Sequence, residues 1–214
     1  MAVQNTKPLT KRVYDQVYSD IINGNYGSED IITESRLVQE FGVSKSPVRE
    51  ALIELCNENI LRSIPRLGYM VVQITPKQIR ELAEARQALE IYLLEKSFQR
   101  LTDEAIAELE HLNKVNLEAA ATHKTPMDNW QRNMTFHLQL ASYAQNQVLY
   151  ELLEQVLRKL TRATTQHFSG YDRDNPLLKE RTSGARHFEF VDACKNRDLA
   201  YAKRVLEVDI DALR

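Results

Sequence analysis

The chain has 214 residues, 43% of them hydrophobic and 27% charged, with a formal net charge of −2. That is an ordinary globular composition, long enough for one large or two small domains with proper cores. No apolar run approaches the roughly 20 residues that a bilayer crossing needs, and bulk charge gives no sign of a nucleic-acid binder. MAVQNTKPLTKRV at the N-terminus lacks the apolar core of a signal peptide, which implies a cytoplasmic chain with no membrane partner. In that compartment Cys56 and Cys194, both within helical patterns, are expected as small core side chains rather than a disulfide.

Residues 1–8 read as an arm. From Leu9 to Asn23, Val13, Val17, Ile21 and Ile22 recur at helical spacing, and the pattern stops before Gly24. A loop to Ile31 precedes TESRLVQEFGVSKSPVREALIELCNEN, the stretch around which the chain is organised. Thr33 and Ser44 are good N-cap residues, each just ahead of a helical run, and Gly42-Val43 between the runs is short enough for a helix-turn-helix. In the second helix Val48, Ala51, Leu52 and Leu55 share one face as a core stripe. Ser46, Arg49 and Ile53 lie opposite, while Ser44 and Lys45 stand at the helix N-terminus, whose unpaired N–H groups and dipole suit phosphates and base edges.

Two short β-prone runs within Ile60–Val72 then flank a Pro65-Arg66-Leu67-Gly68 tip and read as the hairpin of a winged helix. Arg66 is placed to enter a minor groove, and Gly68 would let the backbone approach sugar-phosphate. Up to residue 74 there are eight basic and nine acidic residues, so DNA binding must rest on clustering and should depend on salt.

Thr75 as N-cap and Pro76 at the first helical position mark a boundary, giving domains 1–74 and 75–214. Beyond it the pattern predicts helices at about 76–100, 103–122, 127–144, 147–169, 175–196 and 198–213, hence an antiparallel bundle of about six helices. The fold class is therefore mostly α: a winged helix-turn-helix with a small β-wing, followed by an all-helical domain. Several polar groups sit on the bundle's apolar stripes. Arg86 lies amid Ile79, Leu82, Ala83, Leu89 and Leu93, and its five donors require a carboxylate, from Glu90 one turn on or from a ligand. Asn133 and His137 share a face with Met134 and Ala141, His187 with Val191 and Cys194, and Asp209 with Ala202, Val205 and Leu206. Four potential ligands on three inward stripes are what a metal site in a bundle uses. His111, His123 and His167 join no such set and are expected at the surface.

GVSKSPVREALIEL with the wing IPRLGYMV resembles the DNA-binding domain of GntR-type transcription regulators, and the remainder resembles the helical FCD effector domain of the FadR-like branch. The resemblance implies an arginine two residues before Leu37 reaching DNA; that position is Ser35 here, with Arg36 one step later. It also implies that Arg86 faces the effector cavity. Its usual metal set is an aspartate four residues before a histidine, then two further histidines on the last two helices. Asn133 stands where that aspartate would be, His137 and His187 at two of the histidines, and Asp209 at the third. Histidine nitrogens with a carboxylate and an amide oxygen suit zinc, nickel or manganese.

The expectation is a homodimeric regulator on double-stranded DNA, with two recognition helices in successive major grooves of a pseudo-palindromic operator. A small carboxylate-type effector, held by the divalent metal and Arg86, would shift the population competent for DNA. The rivals are a metal-dependent helical-bundle enzyme and a DNA-binding dimer without an effector. Against the enzyme, there is no HExxH, GxSxG or phosphate loop, nor any paired nucleophile and base.

Overall fold

A computed structural model describes residues 8–27, 29–122, 126–168 and 183–211. The chain divides into two compact units, Met1–Ile74 and Thr75–Arg214. In the first, α1 (Leu9–Ile22) buries Val13, Tyr14, Val17, Ile21 and Ile22. Helix α2 (Glu34–Phe41) is capped by Thr33, whose hydroxyl accepts from the Arg36 N–H, and ends at Gly42 with φ of 63°. That left-handed backbone costs glycine little and sets up the sharp turn into α3 (Lys45–Asn57). Ser44 occupies the N-cap position of α3, but its side chain makes no capping hydrogen bond.

The stripe of α3 is wholly buried: Val48, Ala51, Leu52 and Leu55 join Val13, Tyr14, Val17, Ile21 and Leu37 in one core. Truncating Leu52 or Leu55 to Ala would cost about 2–5 kcal/mol. Strands β1 (Leu61–Ile64) and β2 (Gly68–Val71) pair antiparallel, from Leu61 opposite Val71 to Ile64 opposite Gly68. The wing is also tied to the segment before α2. Ile32 N–H donates to the Tyr69 carbonyl (2.8 Å), Tyr69 N–H returns the bond (2.9 Å), and the Tyr69 hydroxyl donates to Glu34 (3.2 Å).

The second unit is a bundle of α4 (Pro76–Ser97), α5 (Asp103–Thr122), α6 (Pro126–Ser142), α7 (Gln147–Phe168), α8 (Ser183–Lys195) and α9 (Leu199–Asp211). Thr75 and Gln78 form a reciprocal capping box at the start of α4, with Pro76 behind the cap. The predicted run to residue 100 instead tightens into a 3-10 turn at Phe98–Arg100. There the Ser97 hydroxyl donates to the Leu94 carbonyl, and Leu101 N–H closes the end. The expected start of a helix near residue 175 lies outside the described residues; α8 is described from Ser183.

Helix α4 packs against α6, α7 and α9, while α5 packs against α6 and α8. Two apolar cores result. One is built from Leu94, Leu109, Phe136, Phe190, Val205 and their neighbours, the other from Leu93, Met134, Leu153, Leu157 and Leu160. Both draw on α4 and α6, and these two helices, with α5, α8 and α9, also carry the buried polar side chains described next. Cys56 and Cys194 are free thiols in different units, and burial pushes the Cys194 thiol up to about 12.

Candidate functional site

The winged helix presents the predicted DNA-facing residues outward. Ser44, Lys45, Ser46 and Arg49 are exposed along one side of α3, with Ile53 beyond them. The Ser46 hydroxyl donates to Glu50 (2.9 Å), which also accepts from Thr10 (3.0 Å) and so ties α3 to α1. Ser35 and Arg36 are exposed at the start of α2, and the Arg36 guanidinium lies 5.4 Å from the centre of the Tyr26 ring. At the wing tip Arg66 is exposed with φ of 68°, a conformation few non-glycine residues adopt. Gly68 has an intramolecular requirement that the sequence did not reveal. A Cβ there would stand 2.5 Å from the Ile32 carbonyl oxygen, so the closest backbone approach is to the chain itself.

Inside the bundle, Arg86, Glu90, His137, His187 and Asp209 meet as one buried polar cluster. Arg86 is fully buried, and its Nε–H donates to Glu90 Oε1 at 2.6 Å. The other oxygen of Glu90 accepts from His137 Nδ1–H at 2.5 Å. This orients His137 so that Nε2 faces Asp209 Oδ2 at 3.1 Å, with His187 Nε2 3.6 Å from the same oxygen. Arg186 reaches the second oxygen of Asp209 at 3.8 Å.

His187 is fixed just as tightly. Asn113 on α5 donates its amide to the Gly184 carbonyl (2.8 Å), so its oxygen must face His187 Nδ1 at 3.3 Å and accept from it. That leaves Nε2 as the lone-pair nitrogen, turned toward Asp209. The His187 ring stacks on Phe136 with centroids 3.8 Å apart, and Gly184 packs so close to Leu117 that a Cβ would collide at 2.4 Å.

The electrostatics follow from this packing. Burial works against charge on His137, but the Glu90 carboxylate outweighs it, with a further contribution from the bond to Asp209, and holds the imidazole pKa above the usual histidine range. Burial depresses that of His187. Burial alone would raise Glu90 and Asp209; instead Arg86 and His137 hold Glu90 low, and the hydrogen bond from His137, with that ring's charge, holds Asp209 low. Both carboxylates are therefore ionised, acceptor-only groups.

The donor set suits a divalent cation. One ligand atom each from His137, His187 and Asp209 lies within 4.8 Å of the others, all buried. Two imidazole nitrogens and a carboxylate oxygen are the first-row ligand types, and each histidine already has an outer partner on Nδ1. His187 Nε2 and the Asn133 side-chain oxygen, one turn before His137, are buried without hydrogen-bond partners among the described residues. So are Arg86 Nη1 and Nη2. Native interiors rarely leave such atoms unsatisfied, and their concentration around one cluster fits a cation bound beside an anion. His111 is exposed; His123 lies outside the described residues, and the side chain of His167 is not described.

Sequence reasoning named Glu90 only as a partner for Arg86. It missed the carboxylate's hold on His137, as well as Asn113, Arg186 and the ring of Phe136. Asn113 carried a readable signal: it falls four residues after Leu109 and seven after Ile106, on the buried stripe of α5.

A winged helix joined to a helical bundle with a buried polar cluster is the plan of a ligand-responsive transcription regulator. The chain belongs to the gntR family of bacterial regulatory proteins, whose model matches residues 9–71, and residues 81–212 form an FCD domain. It is 28% identical over 212 residues to YdhC, an HTH-type transcriptional regulator of Bacillus subtilis, covering 94% of this chain and 93% of that one. RspR, an HTH-type transcriptional repressor of Escherichia coli, is 24% identical over 90% of this chain and 82% of its own. The gluconate operon transcriptional repressor of Bacillus licheniformis is 37% identical over 46% of this chain and 40% of its own. Among solved structures, E. coli McbR/YncC shares the fold with a TM-score of 0.76 and 21% identity, over 96% of this chain and 95% of that one. The matched families and these relatives are regulators, and the chain is a DNA-binding transcription regulator rather than an enzyme. Among the described residues no helix is long and apolar enough to cross a membrane.

Proposed function

We propose that operator binding by this chain is controlled by a small organic acid held in the bundle together with a divalent metal. The observation that carries this reading is the cluster itself: two histidines and an aspartate converging on one point, beside a fully buried arginine whose Nη1 and Nη2 have no hydrogen-bond partner among the described residues. His137, His187 and Asp209 would hold the cation, with Asn133 as a neutral fourth ligand. The cation would supply positive charge to a ligand carboxylate. Arg86 would receive that carboxylate on its Nη pair, whose planar fork matches two oxygens. On the DNA side, Ser44, Lys45, Ser46 and Arg49 would read the major groove, Ser35 and Arg36 would touch phosphate, and the wing at Arg66 and Gly68 would lie over the minor groove. A homodimer would present two such surfaces to a pseudo-palindromic site.

Metal analysis of the purified protein, followed by a thermal-shift screen of carboxylic acids with and without chelator, tests the reading. Gluconate belongs in the first set, since one of the relatives above is named for its operon. Near-stoichiometric zinc, nickel or manganese, and an acid that raises Tm only in the metal-loaded protein, are expected. A protein that takes up no metal at micromolar concentration and ignores every acid would instead use the bundle as a structural or dimerising element.

A further inference from the structure

Glu90 is the only buried group in the cluster that touches both ends of it among the described residues. One oxygen holds Arg86 Nε at 2.6 Å and the other holds His137 Nδ1 at 2.5 Å. We infer that Glu90 is a positioning residue that makes metal binding and anion binding cooperative, by linking the cation's ligand to the anion's receptor through one carboxylate. This rests on the regulatory reading above and adds the means by which the two ligands are sensed together.

Two observations carry it. The first is charge. Arg86 and Arg186 face Glu90 and Asp209, so the fixed charges of the cluster balance. A divalent cation would bring excess positive charge into a buried place, and an anion on the Arg86 Nη pair, which has no partner among the described residues, would relieve that excess. The second is geometry. Glu90 and Arg86 are within a few per cent of full burial and His137 is completely buried, so the carboxylate has no water to turn toward. Fixing the His137 ring with a cation fixes Glu90, and thereby presets the guanidinium for its anion. An anion at Arg86 does the converse, and the two enhancements must be equal because linkage is reciprocal.

Glu90→Gln separates the two functions. An amide offers an acceptor to one neighbour and its NH2 to the other, so either Arg86 or His137 meets a donor instead of an acceptor. Zinc affinity would be measured by competition with a chromophoric chelator, in sodium acetate and in sodium chloride of equal ionic strength. In the parent, saturating acetate should tighten zinc about tenfold, within the usual range for coupled sites. In E90Q zinc should weaken about tenfold or more, and the acetate effect should shrink below about twofold. Arg86→Gln should keep zinc binding and lose the acetate effect. Glu90→Asp, too short to span both donors, should also lose it, and serves if E90Q does not fold. Nitrogen-15 spectra of the imidazoles in zinc-loaded protein give a second readout: the His137 Nδ1–H resonance should lose its strong-hydrogen-bond position in E90Q while that of His187 stays. A parent that binds no zinc would overturn the regulatory reading and this inference together. A parent that binds zinc and acetate independently would overturn the coupling alone. Coupling that persists unchanged in E90Q and Glu90→Asp would remove Glu90 from it.

Discussion

The winged helix and the bundle use polar residues in opposite ways. In α3 the apolar stripe is buried, and the residues proposed to meet DNA are those the core rejects: Ser44, Lys45, Ser46 and Arg49. Partner and water compete there for exposed groups, so each contact is modest in strength and screened by salt. In the bundle the polar groups are taken into the core, where Arg86, His137, His187 and Asp209 are buried and Phe136 packs on both histidine rings. Each of them needs a partner or costs stability. Function on the outside can thus be altered without cost to the fold, whereas function on the inside is inseparable from it.

The largest departure should come from Asp209→Ala. It strands His137 beside one carboxylate rather than two and leaves Arg186 without its acid, so the metal-free bundle should lose about 3–5 kcal/mol in chemical denaturation, as breaking a buried pair does. Metal uptake should disappear with it. At the other pole, Arg49→Ala should weaken operator binding by about 1–3 kcal/mol in a titration at fixed salt. Its unfolding free energy should stay within about 0.5 kcal/mol of the parent, because an exposed side chain is lost. If Arg49→Ala destabilised the fold as much as Asp209→Ala, the contrast between the two regions would be gone.

Acidity separates the regions again. The metal-free bundle keeps a proton on His137, whose pKa is raised by its carboxylates, and a cation can take Nε2 only as that proton leaves. Zinc affinity should therefore fall as pH is lowered through the raised pKa of His137, by up to about tenfold per unit. His187, depressed by burial, is already neutral around pH 7 and adds no slope there. Isothermal titration below the raised pKa of His137 would show up to one proton released per zinc, and well above it none. The smallest effect should be Arg66→Ala, which would weaken binding to all sequences and flatten the dependence of log K on log salt by about one unit.

How much of this was legible from the sequence follows from the same contrast. The exposed face of α3 in the first unit could be read because a strict helical stripe, Val48 to Leu55, defines its opposite face without ambiguity. Spacing also placed Arg86, His137, His187 and Asp209 inward, as the bundle has them. Spacing along one helix cannot say which group on another helix a side chain meets. Glu90 was already explained by Arg86 at i+4, so nothing pointed to His137, which is 47 residues away. Asn113 meets His187 across 74 residues. The reason for Gly68 was hidden in the same way, since the Ile32 carbonyl that crowds it belongs to a different segment.

The central claim is that the buried cluster governs the exposed surface, and operator affinity measured at the two extremes of cluster occupancy tests it most directly. An operator duplex selected by the protein from a random pool would be titrated by fluorescence anisotropy at fixed salt, in chelator and in zinc with the acid that stabilises best. At least a fivefold difference in Kd between the two conditions is expected, and no difference in His137→Ala. Equal affinity in both conditions for the parent, with zinc and acid shown to be bound, would contradict it.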